Sequence, residues 1–205
     1  MPSTMRSKAF VAALIGLVLN SDCAAGSTHY VPNDIHCPAN SYTTFVHNSY
    51  TYIAPVDKFI DITKSFFDNL WYDGSVVTNT TGTDNVPGAT RSGPYGGSPY
   101  NDTLTMYTIH SDALMYSYHS TEPITYPGPP GQPALHIYGY AETMRFESIC
   151  GGMATYIDLL TYVCSSDHNA AYQGWDVVHT RTFDAMATKI GAESLVGDCP
   201  QNEER

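Results

Sequence analysis

The sequence predicts an α+β fold in which an antiparallel meander of strands is laid against one long C-terminal helix. Two observations carry this expectation. Residues 86–92, 102–110, 114–119, 135–149 and 155–164 are strand-like, rich in Tyr, Thr and Ile, and parted by turn residues. A helical pattern precedes this meander and a longer one follows it. Strands joined in succession by short turns pair antiparallel, and a sheet with one apolar face buries it against a helix. A curved sheet under a helix encloses a cavity, which tyrosines would line here.

Each element has its own signal. Residues 1–25 read as a secretory leader: Arg6 and Lys8 give a positive start, 9–19 is an unbroken apolar run, and Cys23-Ala24-Ala25 offers small residues for cleavage. That run is shorter than the roughly 20 residues a membrane-spanning helix needs. Residues 26–205 then form one domain, long enough to bury a substantial core. Residues 41–53 are a first strand of β-branched and aromatic residues. Pro55 opens a helix, where its missing N–H costs nothing. Val56, Phe59, Ile60, Thr63, Phe66, Phe67 and Leu70 follow at helical spacing on one apolar face, and Asp73-Gly74 ends the unit near Trp71.

Beyond it, 75–78 is at most a short strand and 79–85 is polar and turn-rich. Two loops stand out, 93–99 and 122–133; the second holds too many prolines for a strand or helix. Gly151-Gly152 reads as a tight hairpin joining the last two strands. From Ser166 the period changes. Ala171, Trp175, Val178, Thr182, Met186 and Ile190 trace one face of a long helix, flanked by His179 and Phe183. Asp167 is its expected N-cap, and Gly191 or Gly197 its stop.

Composition excludes several classes of partner. The net charge of −11 becomes −12 when the leader takes away two positive charges and one negative. A chain this acidic does not neutralise nucleic-acid phosphates or dock on anionic membranes. Loss of Cys23 leaves Cys37, Cys150, Cys164 and Cys199, an even number that in a secreted chain suggests two disulfides with three possible connectivities. No close Cys or His pair has metal-ligand spacing, so no metal and no cofactor is expected. Asn79-Thr-Thr and Asn101-Asp-Thr are glycosylation sequons, in keeping with secretion.

The order of elements from about Tyr42 to Ala192 resembles the helix-grip fold of the SRPBCC (START-like) superfamily. The most specific stretch is Val86-Pro-Gly-Ala-Thr-Arg91, similar to a Gly-x-x-Arg strand of the polyketide cyclase/dehydratase-like branch. Asp102-Thr-Leu104, Leu114-Met-Tyr-Ser-Tyr118 and Gly139-Tyr-Ala-Glu-Thr-Met-Arg145 follow in the expected order. The leader, the cysteines and the proline loop depart from that branch. The resemblance implies six to seven strands wrapped on a long C-terminal helix and enclosing a pocket. It also implies that the first strand lies beside the last and that the helix returns toward Gly151-Gly152. On that topology Cys37 pairs with Cys164 and Cys150 with Cys199.

Strand direction puts the two loops and the start of the long helix at one end, the expected mouth. Arg91, Tyr118, His136, Tyr138, Tyr140, Tyr162 and Trp175 lie near it. By alternation Tyr116 and Tyr118 share a face with Leu114, while His136, Tyr138, Tyr140, Glu142, Met144 and Phe146 share another that points inward. The expected catalytic residues are Tyr118, Tyr140, Glu142 and His179, with His110 a second-line proton carrier. Trp71, Arg91, Tyr116, Tyr138, Met144, Phe146 and Trp175 are the expected substrate contacts. Neutral tyrosine hydroxyls polarise a carbonyl or phenol, and a glutamate on an apolar face, its pKa raised by desolvation, moves the proton.

The function that follows is a secreted enzyme of secondary metabolism acting on a hydrophobic, oxygenated molecule such as a polyketide or meroterpenoid. Its reaction would be a cofactor-independent cyclisation, dehydration or pericyclic step of Diels–Alder type. The alternatives are a ligand carrier without chemistry and an extracellular interaction or effector protein.

Overall fold

The computed structural model describes residues 35–128, 130–131 and 133–200, so the predicted leader lies outside the described residues. Among the described residues nine strands form one antiparallel sheet. In chain order they are β1 (Tyr42–Ile53), β2 (Asn79–Thr81), β3 (Thr90–Tyr95), β4 (Ser98–Ile109), β5 (Ala113–Ser120), β6 (Ile124–Tyr126), β7 (Leu135–Ile149), β8 (Ala154–Ser165) and β9 (Glu193–Ser194). Their spatial order is β2-β3-β4-β5-β7-β8-β1-β9, with β6 also paired to β7. Six to seven strands were expected. The excess comes from β2, β6 and β9, each only two or three residues long.

Helix α1 (Val56–Thr63) packs on β5 and β7, and α2 (His168–Ile190) on β1, β7 and β8. Both helices share one core with the sheet, built around Phe59, Phe66, Tyr116, Met144, Phe146, Leu159 and Phe183. Burying side chains of this size stabilises by about 1.5–3 kcal/mol apiece. Asp167 caps α2 by accepting from the Ala170 N–H at 3.0 Å, and Gly191 stops it in the left-handed conformation. The buried stripe of α2 runs through Ala171, His179, Thr182, Phe183 and Met186, so His179 lies within it rather than beside it. No helix among the described residues is long and apolar enough to cross a membrane.

The first helix is shorter than its apolar period. It ends at Thr63 because side chains from 84–85 capture the backbone that would continue it. Asn85 Oδ1 accepts from the Phe66 N–H at 2.9 Å and Asp84 Oδ1 from the Phe67 N–H at 3.0 Å. Asx side chains compete with helical bonding in this way. The expected strand at 75–78 falls instead at β2, within the stretch read as turns. Residues 86–89 form a turn, so β3 starts at Thr90. The proline loop does contain a strand, β6, whose three residues pair with Leu135–Ile137.

The first strand does lie antiparallel beside the last, with Thr43 opposite Cys164. Two disulfides close the fold, Cys37–Cys164 and Cys150–Cys199, as the helix-grip topology implied. They are consistent with an oxidising compartment.

Candidate functional site

Two rungs of the sheet build the site. On the first, β5, β7 and β8 place Tyr118, Glu142 and Thr161 side by side. On the second, β3 and β4 place Arg91 opposite Asp102. The second register is set by a two-residue hairpin, Gly96-Gly97, with both φ positive at 58° and 84°. That geometry belongs to a type I′ turn, which glycine adopts without strain. Between these rungs, the segment 69–75 and the first half of α2 lies a cavity of about 560 Å³. Its lining includes Tyr72, Tyr95, Tyr100, Asp102, Tyr118, Tyr126, Tyr140, Glu142 and Trp175.

Glu142 is 1% exposed and accepts four hydrogen bonds. Tyr118 donates to Oε1 at 2.6 Å; Tyr72 and Thr161 donate to Oε2 at 3.2 and 3.0 Å. His179 Nε2 stands 3.1 Å from the same Oε2. The other ring nitrogen, Nδ1, meets Asn48 Oδ1 at 2.7 Å. That amide cannot be turned round, because its Nδ2 donates to Asp176 Oδ1 at 2.7 Å. A nitrogen facing a carbonyl oxygen must carry hydrogen, so Nδ1 is protonated and a further proton lies between Nε2 and Glu142. Burial pushes the Glu142 carboxyl up, but the His179 ring and the donated bonds outweigh it and hold the group below the ordinary carboxylate range. The sequence-based expectation of a raised value is therefore reversed, because the neighbours outweigh the apolar surroundings.

Asp102, 2% exposed, has the opposite balance. Burial pushes its carboxyl up, against the pull of Arg91 and a hydrogen bond from Tyr140 at 2.5 Å. Arg91 Nε donates to Oδ2 at 3.0 Å, and its guanidinium lies over the Phe66 and Tyr118 rings at 4.4 and 4.7 Å. Stacked between two ring faces and bonded to a carboxylate, this cation is fully buried. At the rim Arg181 donates to Asp73, which also accepts from Tyr95 at 2.7 Å.

The predicted site residues divide into four groups, the last of them Tyr138 alone. Tyr118, Tyr140, Glu142 and Trp175 line the cavity. His179 and Arg91 stand behind the wall, each backing one carboxylate, so Arg91 holds Asp102 and not Glu142. Tyr116, Met144 and Phe146 are wholly buried packing, and Trp71 is half-buried against Tyr72 and Phe183.

Tyr138 does not face inward. A bulge between Ile137 and Gly139 shifts the alternation, so Ile137 and Tyr140 enter the main core while Tyr138 packs with Ile35 and Cys37 in a separate cluster. Tyr162 belongs to that cluster too, and His136 and His110 are exposed. Of the sequon residues, Asn79 is exposed and Asn101 donates to Glu122 at 2.9 Å. Sequence reasoning missed Asp102, Tyr72 and Tyr100. The signal for Asp102 was the Gly96-Gly97 turn, which read as a two-residue hairpin puts it opposite Arg91.

No family model matches the chain. No curated protein matches it in sequence. Among solved structures it is similar to a protein from Nitrosospira multiformis, with 22% identity and a TM-score of 0.51 over 71% of this chain and 94% of that one. It is also similar to a hypothetical protein from Helicobacter pylori, with 11% identity and a TM-score of 0.50 over 92% and 99%. A further similar structure is norcoclaurine synthase from Thalictrum flavum in complex with dopamine and hydroxybenzaldehyde: 12% identity, TM-score 0.46, 73% of this chain and 89% of that one. At such identities the first two likenesses show a shared fold alone. The large antiparallel sheet with a long C-terminal helix is helix-grip-like.

Proposed function

We propose that this chain takes a hydrophobic, oxygenated small molecule into the cavity and moves a proton on it without a cofactor, as dehydration or ring closure requires. The observation that carries this reading is the pair of buried carboxyls in one cavity wall, held in opposite electrostatic environments. Groups driven apart in this way divide the work of acid and base. Asp102 is the proton carrier: among the described residues its two oxygens accept from Arg91 and Tyr140, leaving lone pairs for a substrate. Glu142 is saturated by four donors and acts as a fixed negative charge backed by His179. The aromatic wall supplies apolar contact and orientation. A polyketide- or meroterpenoid-like molecule, a fused apolar body bearing oxygens, suits that lining. The leader, sequons and disulfides support a secreted protein.

The test begins with mass spectrometry of small molecules retained by the protein secreted from its own cells. Consumption of those molecules is then followed with wild-type protein and Asp102→Asn. Loss of turnover by about 10²–10⁴, the usual share of general acid–base catalysis, in a variant that still folds and still retains the molecule supports the proposal. A second reading, a carrier without chemistry, is favoured by the saturation of Glu142. It requires that wild-type protein retain the molecule and never convert it.

A further inference from the structure

Among the described residues six tyrosines line the cavity, and five have already given their hydroxyl hydrogens to the protein. Tyr118 and Tyr72 donate to Glu142, Tyr140 to Asp102, Tyr95 to Asp73, and Tyr100 to the Val76 carbonyl at 3.2 Å. A phenol has one hydrogen, so these five can offer a guest only lone pairs and a ring face. Turning one of them round would leave a carboxylate or carbonyl short of a donor, at the cost of desolvating that acceptor. Tyr118 and Tyr140, the tyrosines expected from the sequence to polarise a substrate, are among the five.

Tyr126 is the exception. Its hydroxyl has no acceptor among the described residues, and a strand fixes where it stands. The short β6 pairs with the start of β7, Tyr126 opposite Leu135. Alternation puts Ile124 in the core, Thr125 outward and the half-buried Tyr126 on the cavity side. The ring lies against Gly96, where an added Cβ would come within 3.1 Å of it. The hydroxyl is enclosed near Asp102: burial and the charge of that carboxylate push its pKa up to about 12. Asp102 is the carboxyl with lone pairs to spare. Other donors reach the lining, the Trp175 indole N–H among them, but Tyr126 is singled out by its place beside the carboxyl assigned the proton.

We infer that Tyr126, on the reading proposed above that Asp102 carries the proton in this cavity, donates its hydrogen bond to an oxygen of the guest and so positions the molecule for Asp102. The group that fits a neutral donor beside a carboxyl is a carbonyl oxygen whose neighbouring carbon gives its proton to Asp102. In that step the C–H pair moves into a C=C bond, the C=O π pair moves onto oxygen, and Tyr126 supports the developing charge. Tyr118 and Tyr140 serve to hold the carboxylates in place.

The test uses the full, disulfide-intact chain and two probes of one shape: 2-tetralone, isotopically labelled at its carbonyl carbon, and tetralin, which lacks the oxygen. NMR titration reads both affinities and the carbonyl shift of the bound ketone. Tyr126→Phe should weaken 2-tetralone by about five- to ten-fold, the worth of one hydrogen bond, and leave tetralin unchanged. The carbonyl resonance should move upfield from wild type to variant, a change that a mere packing role for the ring would not produce. Tyr118→Phe and Trp175→Phe should not lower the ketone's affinity relative to tetralin's. Gly174 lines the cavity, with nothing within 4 Å of where its Cβ would be, so Gly174→Trp should abolish binding of both probes. Equal losses for the two probes in Tyr126→Phe, an unmoved carbonyl resonance, or a ketone-selective loss that follows Tyr118 or Trp175 instead would overturn the inference while leaving the cavity as a binding site. Binding that survives Gly174→Trp would place the probes elsewhere and overturn it too. Failure of both probes to bind the wild type at millimolar concentration would overturn both the inference and the proposed use of the cavity.

Discussion

Removal of the His179 ring should destabilise the protein strongly, and a second substitution that removes the Glu142 charge should restore part of the loss. His179 contributes one of the four hydrogen bonds to Glu142 and the positive charge beside it, and its side chain is 0% exposed. In His179→Leu the carboxylate keeps Tyr118, Tyr72 and Thr161 but loses its cation. Breaking one side of a buried ion pair costs about 3–5 kcal/mol. For a domain of this size that lowers Tm by roughly 6–20 °C. Glu142→Gln alone is milder, because an amide can still accept from Tyr118 and donate to a neutral imidazole.

The double variant has no buried charge to strand. It should therefore be more stable than His179→Leu by about 2 kcal/mol, within the range of coupling seen between touching residues. The orphaned Asn48 oxygen is common to both variants and cancels. Guanidinium unfolding at pH 7 with the disulfides intact measures all four species. Additivity of the two single losses, or a double variant less stable than His179→Leu, would refute the ion-pair reasoning.

Further predictions concern pH, the crosslinks and the long helix. Glu142 titrates lower in the folded protein than in the unfolded chain, so its stabilisation is complete above the ordinary carboxyl value of about 4.3 and is lost as pH falls from there through the folded pKa. Glu142→Gln should flatten that acid limb in urea titrations; an unchanged slope contradicts the assignment. Asp102, shifted upward, contributes in the opposite sense above the ordinary carboxyl value, so Asp102→Asn should make stability rise more steeply with pH in that range. Cys37–Cys164 and Cys150–Cys199 span 127 and 49 residues, so chain entropy assigns each on the order of 4–5 kcal/mol. Paired Cys→Ser variants measured by thermal unfolding should each lose a comparable amount. Gly174→Ala, inside α2 with open space at its Cβ, should gain about 0.5–1 kcal/mol in the same assay.

Element bounds were legible where turn residues mark them. Residues 135–149 end at turn residues on both sides, and the observed strand has the same bounds. Asp167 marked the start of α2 by capping chemistry, and of the two glycines expected to stop it, Gly191 and Gly197, the helix ends at the first. The misses arose where one local contact overrides a period. Phe66 and Phe67 continue the apolar face of α1, yet Asp84 and Asn85, some 17 to 19 residues away, take their N–H groups.

Alternation along β7 fails at Gly139, where an added Cβ would come within 3.1 Å of the Ser120 carbonyl and 3.3 Å of Ile35. Glycine there permits close approach and a bulge, and the bulge turns Tyr138 away from the cavity. Within the site, Tyr140 and Glu142 were readable because they sit past the bulge on β7, and Tyr118 because β5 alternates without a break. Asp102 needed the hairpin register, and Tyr72 comes from an irregular segment whose position depends on the folded whole.

The proposed chemistry requires that a small molecule reside in the hollow between the sheet and α2. Native mass spectrometry of wild-type protein and Gly174→Trp, each recovered from the secreting cells, tests this most directly. The expected result is a small molecule bound to the wild type and absent from a Gly174→Trp protein of equal or higher Tm. The same molecule retained by both proteins would contradict it.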